Sequence, residues 1–304
     1  MTSNLRSEDQ DSQQLSRGIA LMVLAMVLLP GLDALAKLVS GSISAGQTAW
    51  ARFMFQVLFL APFVLGRGIL RWDGSVWAHA ARGFLLACAT LFFFSAISVM
   101  PLADAIAVFF VQPFIVTLLA AAFLGEAFGW RRMLAILFGF LGALLIIKPS
   151  YQAFGATALL PVGTAVCFAL YVILTRWLVR STPPLAMQFL AGVFGFLTMT
   201  AALAAGYAFD VGSMRPAWPT VTQWQLLALL GFIATTGHIL VVMAYSRVSV
   251  AVLAPFQYLE IVSATALGLL IFNDFPDLLT WVGIGIIVSS GLFVFYRERK
   301  LSAK

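Results

Sequence analysis

Ten apolar runs, each near the length of a bilayer-crossing helix, constrain this chain more than any other feature of it. A helix needs about 20 such residues to span the roughly 30 Å hydrocarbon layer. The runs fall at about 18–38, 46–66, 77–99, 102–124, 130–147, 154–175, 185–206, 223–245, 250–272 and 278–296. Turn chemistry separates them: Gly41-Ser42, Asp73-Gly74, Pro149-Ser150, Pro183-Pro184 and the stretch from Asp210 to Pro219. The alternation of a membrane β-barrel is absent, and backbone in lipid otherwise spans only as helix. The expectation is an all-α integral membrane protein with ten transmembrane helices. Composition closes the other routes. Only 10% of the 304 residues are charged and 62% are hydrophobic, whereas a soluble surface needs about 25% charge. The two cysteines, Cys88 and Cys167, sit inside apolar runs, which excludes a disulfide scaffold. The net charge of +6 is scattered singly between apolar segments and is not a nucleic-acid footprint.

The basic residues carry orientation instead. With the N-terminus in the cytoplasm, fourteen Lys and Arg fall on that side, among them Arg17, Arg67, Arg82, Arg131, Arg132, Arg180 and Arg247. Three, Lys37, Lys148 and Arg215, fall opposite, and Arg52 lies within a span. That bias predicts cytoplasmic termini. The seventeen-residue, mostly polar segment before the first run argues against a cleaved signal. Sliding the chain on itself by 148 residues aligns the layout of its halves: each fourth helix ends in an acid, Glu126 or Asp274, and leads into a glycine-containing fifth. The expected organisation is a tail at 1–17, a five-helix repeat at 18–148, a second at 154–296 and a tail at 297–304. Five spans per half turn the second half upside down, the architecture of many secondary transporters, with the binding site near the midplane.

The residues Ala51-Arg52-Phe53, Pro101-Leu102-Ala103-Asp104-Ala105, and the turns Leu124-Gly125-Glu126 and Phe272-Asn273-Asp274 carry a family resemblance. The chain resembles the ten-helix members of the drug/metabolite transporter superfamily with two EamA-type domains. The second copy departs from the usual pattern, with Asn-Asp where Gly-Glu is commoner. The resemblance implies alternating access and solutes such as amino acids, S-adenosylmethionine, riboflavin or sugar nucleotides.

Candidate site residues are the polar groups deep in spans, because a charge at the bilayer centre costs about 2.5–3.5 kcal/mol and needs a partner or a wet cavity. Asp33 and Lys37 lie four apart on one helix face, as a solute-path pair or as a pair that neutralises itself. Thr48, Arg52 and Gln56 form a stripe, in which Arg52 either grips a carboxylate or phosphate or snorkels outward. Glu260, flanked by Gln257 and Ser263, is a candidate proton carrier at mid-span, and the repeat offset places Gln112 at the matching position. His238 and Tyr171 are further solute contacts or packing residues, and Trp50 and Tyr258 are rings a planar solute would stack on. Gly139 and Ala143 read as a helix-packing face. Pro113, Pro161 and Pro255 read as kinks.

Absent motifs narrow the class. There is no phosphate loop for ATP hydrolysis, no metal-ligand spacing and no hydrolase motif, so no cofactor is implied. The expected function is secondary transport of a small organic metabolite across a bacterial inner membrane, with protons as a coupling ion and a homodimer open to it. An aromatic interior with few charges favours riboflavin or a similar planar vitamin. Export of amino acids or other metabolites, and S-adenosylmethionine transport, are alternatives. A membrane transferase built on Asp274 and Asp277 is the rival from another class.

Overall fold

The computed structural model describes residues 2–70, 75–124, 130–178, 182–245, 247–248, 253 and 256–302, and among these every regular element is helical. In chain order they are α1 (Thr2–Val39), α2 (Ala45–Gly66), α3 (Val76–Ile97), α4 (Leu102–Phe109), α5 (Gln112–Leu124) and α6 (Trp130–Phe154). Then come α7 (Leu160–Leu178), α8 (Pro184–Ala208), α9 (Val221–Tyr245), α10 (Leu259–Leu267) and α11 (Leu278–Ser302). Six stretches of the described residues are long and apolar enough to cross a membrane: Gln13–Val39, Ala45–Gly66, Val76–Ile97, Met133–Thr175, Pro184–Ala208 and Val221–Ala244. Three shorter apolar helices accompany them, Leu102–Val116, Leu259–Phe272 and Leu278–Phe293.

The departures from the expected runs have local causes. α1 begins at Thr2, so the polar segment expected as a tail continues the helix. No Gly or Pro interrupts it before Gly18. The expected fourth span breaks at Phe110–Val111, where α4 ends and α5 starts. Pro113 falls in the first turn of α5, where its missing N–H leaves no helical hydrogen bond unmade. The run expected at 130–147 and the one at 154–175 are separated by a 3₁₀ turn, Gly155–Leu159. Gly155 enters that turn at φ +62°, which a residue with a Cβ rarely adopts. In the run expected at 250–272, α10 passes into a π-turn, Gly268–Phe272, closed by Asn273 at φ +57°. The Asp274 amide donates to the Gly268 carbonyl at 3.0 Å. Asn is the residue other than Gly that best tolerates this geometry, which accounts for Asn in that turn. Pro255, Gly125 and Glu126 lie outside the described residues.

The helices pair in matched sets. α1 lies along α9 and α3 along α7, α5 touches α7 and α1 touches α10, and α3 meets α8 while α2 meets α9. α2 packs on α8, α4 on α10 and α6 on α11. The last pair approaches closest at glycine: a Cβ on Gly283 would stand 2.7 Å from the carbonyl oxygen of Gly142. The face expected at Gly139 and Ala143 is used differently, since Gly139 accommodates the ring of Phe114 on α5 and the backbone contact falls to Gly142. The main core gathers Phe53, Leu86, Phe94, Ile97, Ile106 and Ile146.

Candidate functional site

α2 turns its polar stripe fully inward. Thr48, Arg52 and Gln56 are 1%, 3% and 0% exposed, so Arg52 does not snorkel. Their hydrogen bonds diverge. Thr48 donates to the Ser44 carbonyl of its own helix, and the Gln56 amide donates to the Gln188 carbonyl on α8 at 2.8 Å. Arg52 reaches α3, where Nη1 donates to Thr90 Oγ1 at 2.5 Å. Thr90 is oriented for this by giving its own proton to the Leu86 carbonyl at 2.8 Å. Around Arg52 the other candidates converge. Asp33 on α1, 7% exposed, interacts electrostatically with both Arg52 and Glu260. Arg52 also interacts with Tyr171 on α7, and His238 on α9 with Arg52 and Arg82. The His238 Nδ1 lies 2.8 Å from the Ala234 carbonyl oxygen, which sets the ring's orientation. Five helices, α1, α2, α7, α9 and α10, thus bring two carboxyls, a guanidinium, an imidazole and a phenol to one interior region.

Lys37 does not belong to that group. The spacing on α1 allows it to reach back to Asp33, but its ammonium bonds Asp274 Oδ2 at 2.5 Å and the Met100 carbonyl at 3.1 Å. It also lies 4.8 Å from the ring centre of Phe272. The tie joins the end of α1 to the α3–α4 turn and to the turn that follows α10 and its π-turn. Asp104 interacts electrostatically with both members of the tie and with Asp277. Asp277 accepts from the Thr280 amide at 2.7 Å, capping α11. Both acids expected for a transferase pair therefore hold structural bonds here.

Arg82, counted among the basic residues of the cytoplasmic side, is buried at 3% exposure. Its Nε donates to Thr175 Oγ1 at 2.8 Å, Nη1 to the Met187 carbonyl at 2.6 Å and Nη2 to the Tyr171 hydroxyl at 2.6 Å. The guanidinium carbon also lies 4.5 Å from the Tyr171 ring centre. Arg82 thereby braces α3, α7 and α8 and fixes Tyr171. Helical phase reveals it, because Arg82 shares the buried face of α3 with His79, Leu86, Thr90 and Phe93.

From Tyr171 a chain of rings crosses the interior. Tyr171 meets Phe168 at 5.3 Å, Phe168 meets Phe109 at 5.6 Å, and Phe110 meets Tyr258 at 5.3 Å. Phe109 and Phe110 are neighbours with centroids 6.1 Å apart. Phe110 and Tyr258 sit at the two helix breaks, two residues before Gln112 and Glu260. Gln112, Gln257 and Glu260 are partly buried, and among the described residues no hydrogen bond joins Gln112 to Glu260. Trp50 stands apart, donating its indole N–H to Thr200 Oγ1 at 2.9 Å.

Elsewhere, a recess of about 840 Å³ opens between α6 and α11, lined by apolar residues such as Leu134, Phe138, Ile286 and Phe293. It has none of the charged groups above and reads as a lipid-facing groove. Among the described residues no cluster of His, Cys, Asp and Glu is arranged for a metal ion.

Comparison with known proteins fits this picture. The profile of the EamA-like transporter family matches residues 16–148 and again 155–296. An S-adenosylmethionine uptake transporter of Rickettsia bellii is 30% identical over 95% of this chain and 97% of its own. A riboflavin transporter of Rhizobium johnstonii is 29% identical over 86% and 84%. The pseudopaline exporter CntI of Pseudomonas aeruginosa is 28% identical over 94% and 98%. A solved crystal structure, 20% identical, superposes with a TM-score of 0.60 over 91% of this chain and 96% of that one, which supports the fold.

Proposed function

The chain belongs to the EamA-like transporter family, and we propose that it takes up a small zwitterionic metabolite bearing a planar ring, of the S-adenosylmethionine type, across a bacterial inner membrane. The observation that carries this reading is the placing of Asp33 in electrostatic range of both Arg52 and Glu260 in the interior. A solute with a cationic and an anionic group finds a counter-charge for each there, and the rings from Tyr171 to Tyr258 offer its planar part a surface. Riboflavin, the solute favoured from composition, has the ring but no cationic group to offset two buried carboxyls. The Rickettsia relative named for S-adenosylmethionine uptake is consistent with this choice.

The mechanism is alternating access between two inverted halves of five spans, with the termini in the cytoplasm. The matched pairing supports it: exchanging each helix for its counterpart in the other half turns the α1–α9 contact into α7–α3 and α5–α7 into α10–α1, while α6–α11 maps on itself. A proton on Glu260 or Asp33 would exchange for the solute's cationic group. The Lys37–Asp274 tie closes one end of the bundle, and it has to break for the solute to pass that end.

Uptake into proteoliposomes containing the purified chain tests the solute. Labelled S-adenosylmethionine is expected to accumulate saturably and to be competed by its unlabelled form but not by riboflavin. Accumulation of riboflavin in its place, or of neither solute, contradicts the reading. The tie is tested with nitroxides at Leu38 and Leu278, which are 48% and 79% exposed, in a protein whose two cysteines are replaced by alanine. Lys37→Met is expected to shift the distance distribution towards longer values. An unchanged distribution removes the tie's gating role.

A further inference from the structure

We propose that Arg52 is the docking group for the solute's carboxylate, gripping it side-on through Nε and Nη2. The proposal rests on the zwitterion reading above and names the residue that selects for one end of the solute.

Arg52 is 3% exposed, yet among the described residues no carboxylate stands at ion-pair distance from it. The described ion pairs are Lys37–Asp274 and Arg215–Asp210. A buried guanidinium cannot shed its proton, so its cost has to be met by partners. Arg82 shows what a fully met arginine looks like here: each of its three nitrogens donates to a described acceptor. Arg52 is different. Its Nη1 is held by Thr90, and its Nε is buried with no hydrogen-bond partner.

Geometry makes that difference specific. A guanidinium offers a carboxylate two bidentate edges, end-on through both terminal nitrogens or side-on through Nε and the nearer terminal nitrogen. Thr90 already takes one Nη1 donor, so the end-on edge shares its nitrogen with an existing bond. The side-on edge, which contains the orphaned Nε, is left for a ligand. The charged and titratable groups around Arg52 are Asp33, Tyr171 and His238. Asp33 is in electrostatic range without bonding it, so the guanidinium and the carboxyl stand as separate poles for a zwitterion. A neutral vitamin would use neither pole.

The test compares S-adenosylmethionine with its decarboxylated analogue, which keeps the ring and the cationic groups. The wild-type chain is expected to carry the parent with a KM at least roughly tenfold lower than the analogue, as expected for one charge-assisted bidentate pair. In Arg52→Gln the parent's KM rises to the analogue's, while the analogue's own KM stays within about twofold. Arg52→Lys, which keeps the charge but not the fork, falls between. Equal losses for both solutes in Arg52→Gln, or a wild-type protein that does not discriminate, overturn the assignment while leaving zwitterion transport standing. A wild-type chain that moves neither solute but moves riboflavin overturns both. Should Arg52→Gln fail to fold, the wild-type comparison and Arg52→Lys still decide the matter.

Discussion

Gly283→Leu is expected to lower the thermal midpoint of the purified protein, with a loss of about 1–3 kcal/mol, the usual range for overpacking a tight contact. At this point α6 and α11 touch backbone to backbone, and even the first added carbon would lie 2.7 Å from the Gly142 carbonyl oxygen and 2.5 Å from Ile146. A flexible side-chain tip would yield, but a carbonyl fixed in a helix does not, so the helices have to separate. Without a hydrophobic force between helices in lipid, association rests on this packing, and separation forfeits it. Gly285 provides the control two residues away. An added Cβ there meets nothing within 4 Å, so Gly285→Leu is expected to leave the midpoint unchanged. Thermal unfolding of both variants in detergent, followed by size-exclusion chromatography, reads the difference. Equal midpoints would show that the glycine contact contributes nothing.

Removing both interior carboxyls, Asp33→Asn with Glu260→Gln, is expected to reduce uptake about a hundredfold or more. An unneutralised charge near the bilayer centre costs about 2.5–3.5 kcal/mol, and every 1.4 kcal/mol is tenfold. A cationic solute group left without a counter-ion meets about that barrier. The single variant Glu260→Gln keeps Asp33 for the cationic group and is expected to retain solute exchange while losing its dependence on an imposed pH gradient. Unchanged pH dependence in Glu260→Gln would remove that residue from proton coupling.

Much of the fold was legible because bilayer-spanning segments must carry their signal locally: length, apolarity and turn residues are all nearby in sequence. The break in the fourth run was not legible: Pro113 reads from the sequence as a kink, and Pro30, Pro62 and Pro149 sit inside unbroken helices. What could not be read is who meets whom. Lys37 looks like the i+4 partner of Asp33, yet its partner Asp274 lies 237 residues on. A long, flexible ammonium stem reaches whichever acceptor tertiary packing brings nearest, and two acceptors, Asp274 and the Met100 carbonyl, outcompete one on its own helix. Arg82 shows the opposite limit. Charge counting gives only its side of the membrane, and the phase it shares with Leu86 and Thr90 is what puts it inside. Thr90 itself carried no signal, because a threonine in an apolar helix ordinarily bonds its own backbone. Here it does so and also accepts from Arg52. The interior carboxyls, Arg52 and Tyr171 were visible as polar exceptions in apolar runs, and the structure adds that they share one region.

Binding of labelled S-adenosylmethionine to the purified protein in detergent, wild type against the double variant Asp33→Asn, Glu260→Gln, tests that region as the solute site without depending on transport. The wild type is expected to bind saturably, and the double variant, with its thermal midpoint retained, to lose binding about a hundredfold. Equal binding by the two proteins would place the solute elsewhere and contradict the account.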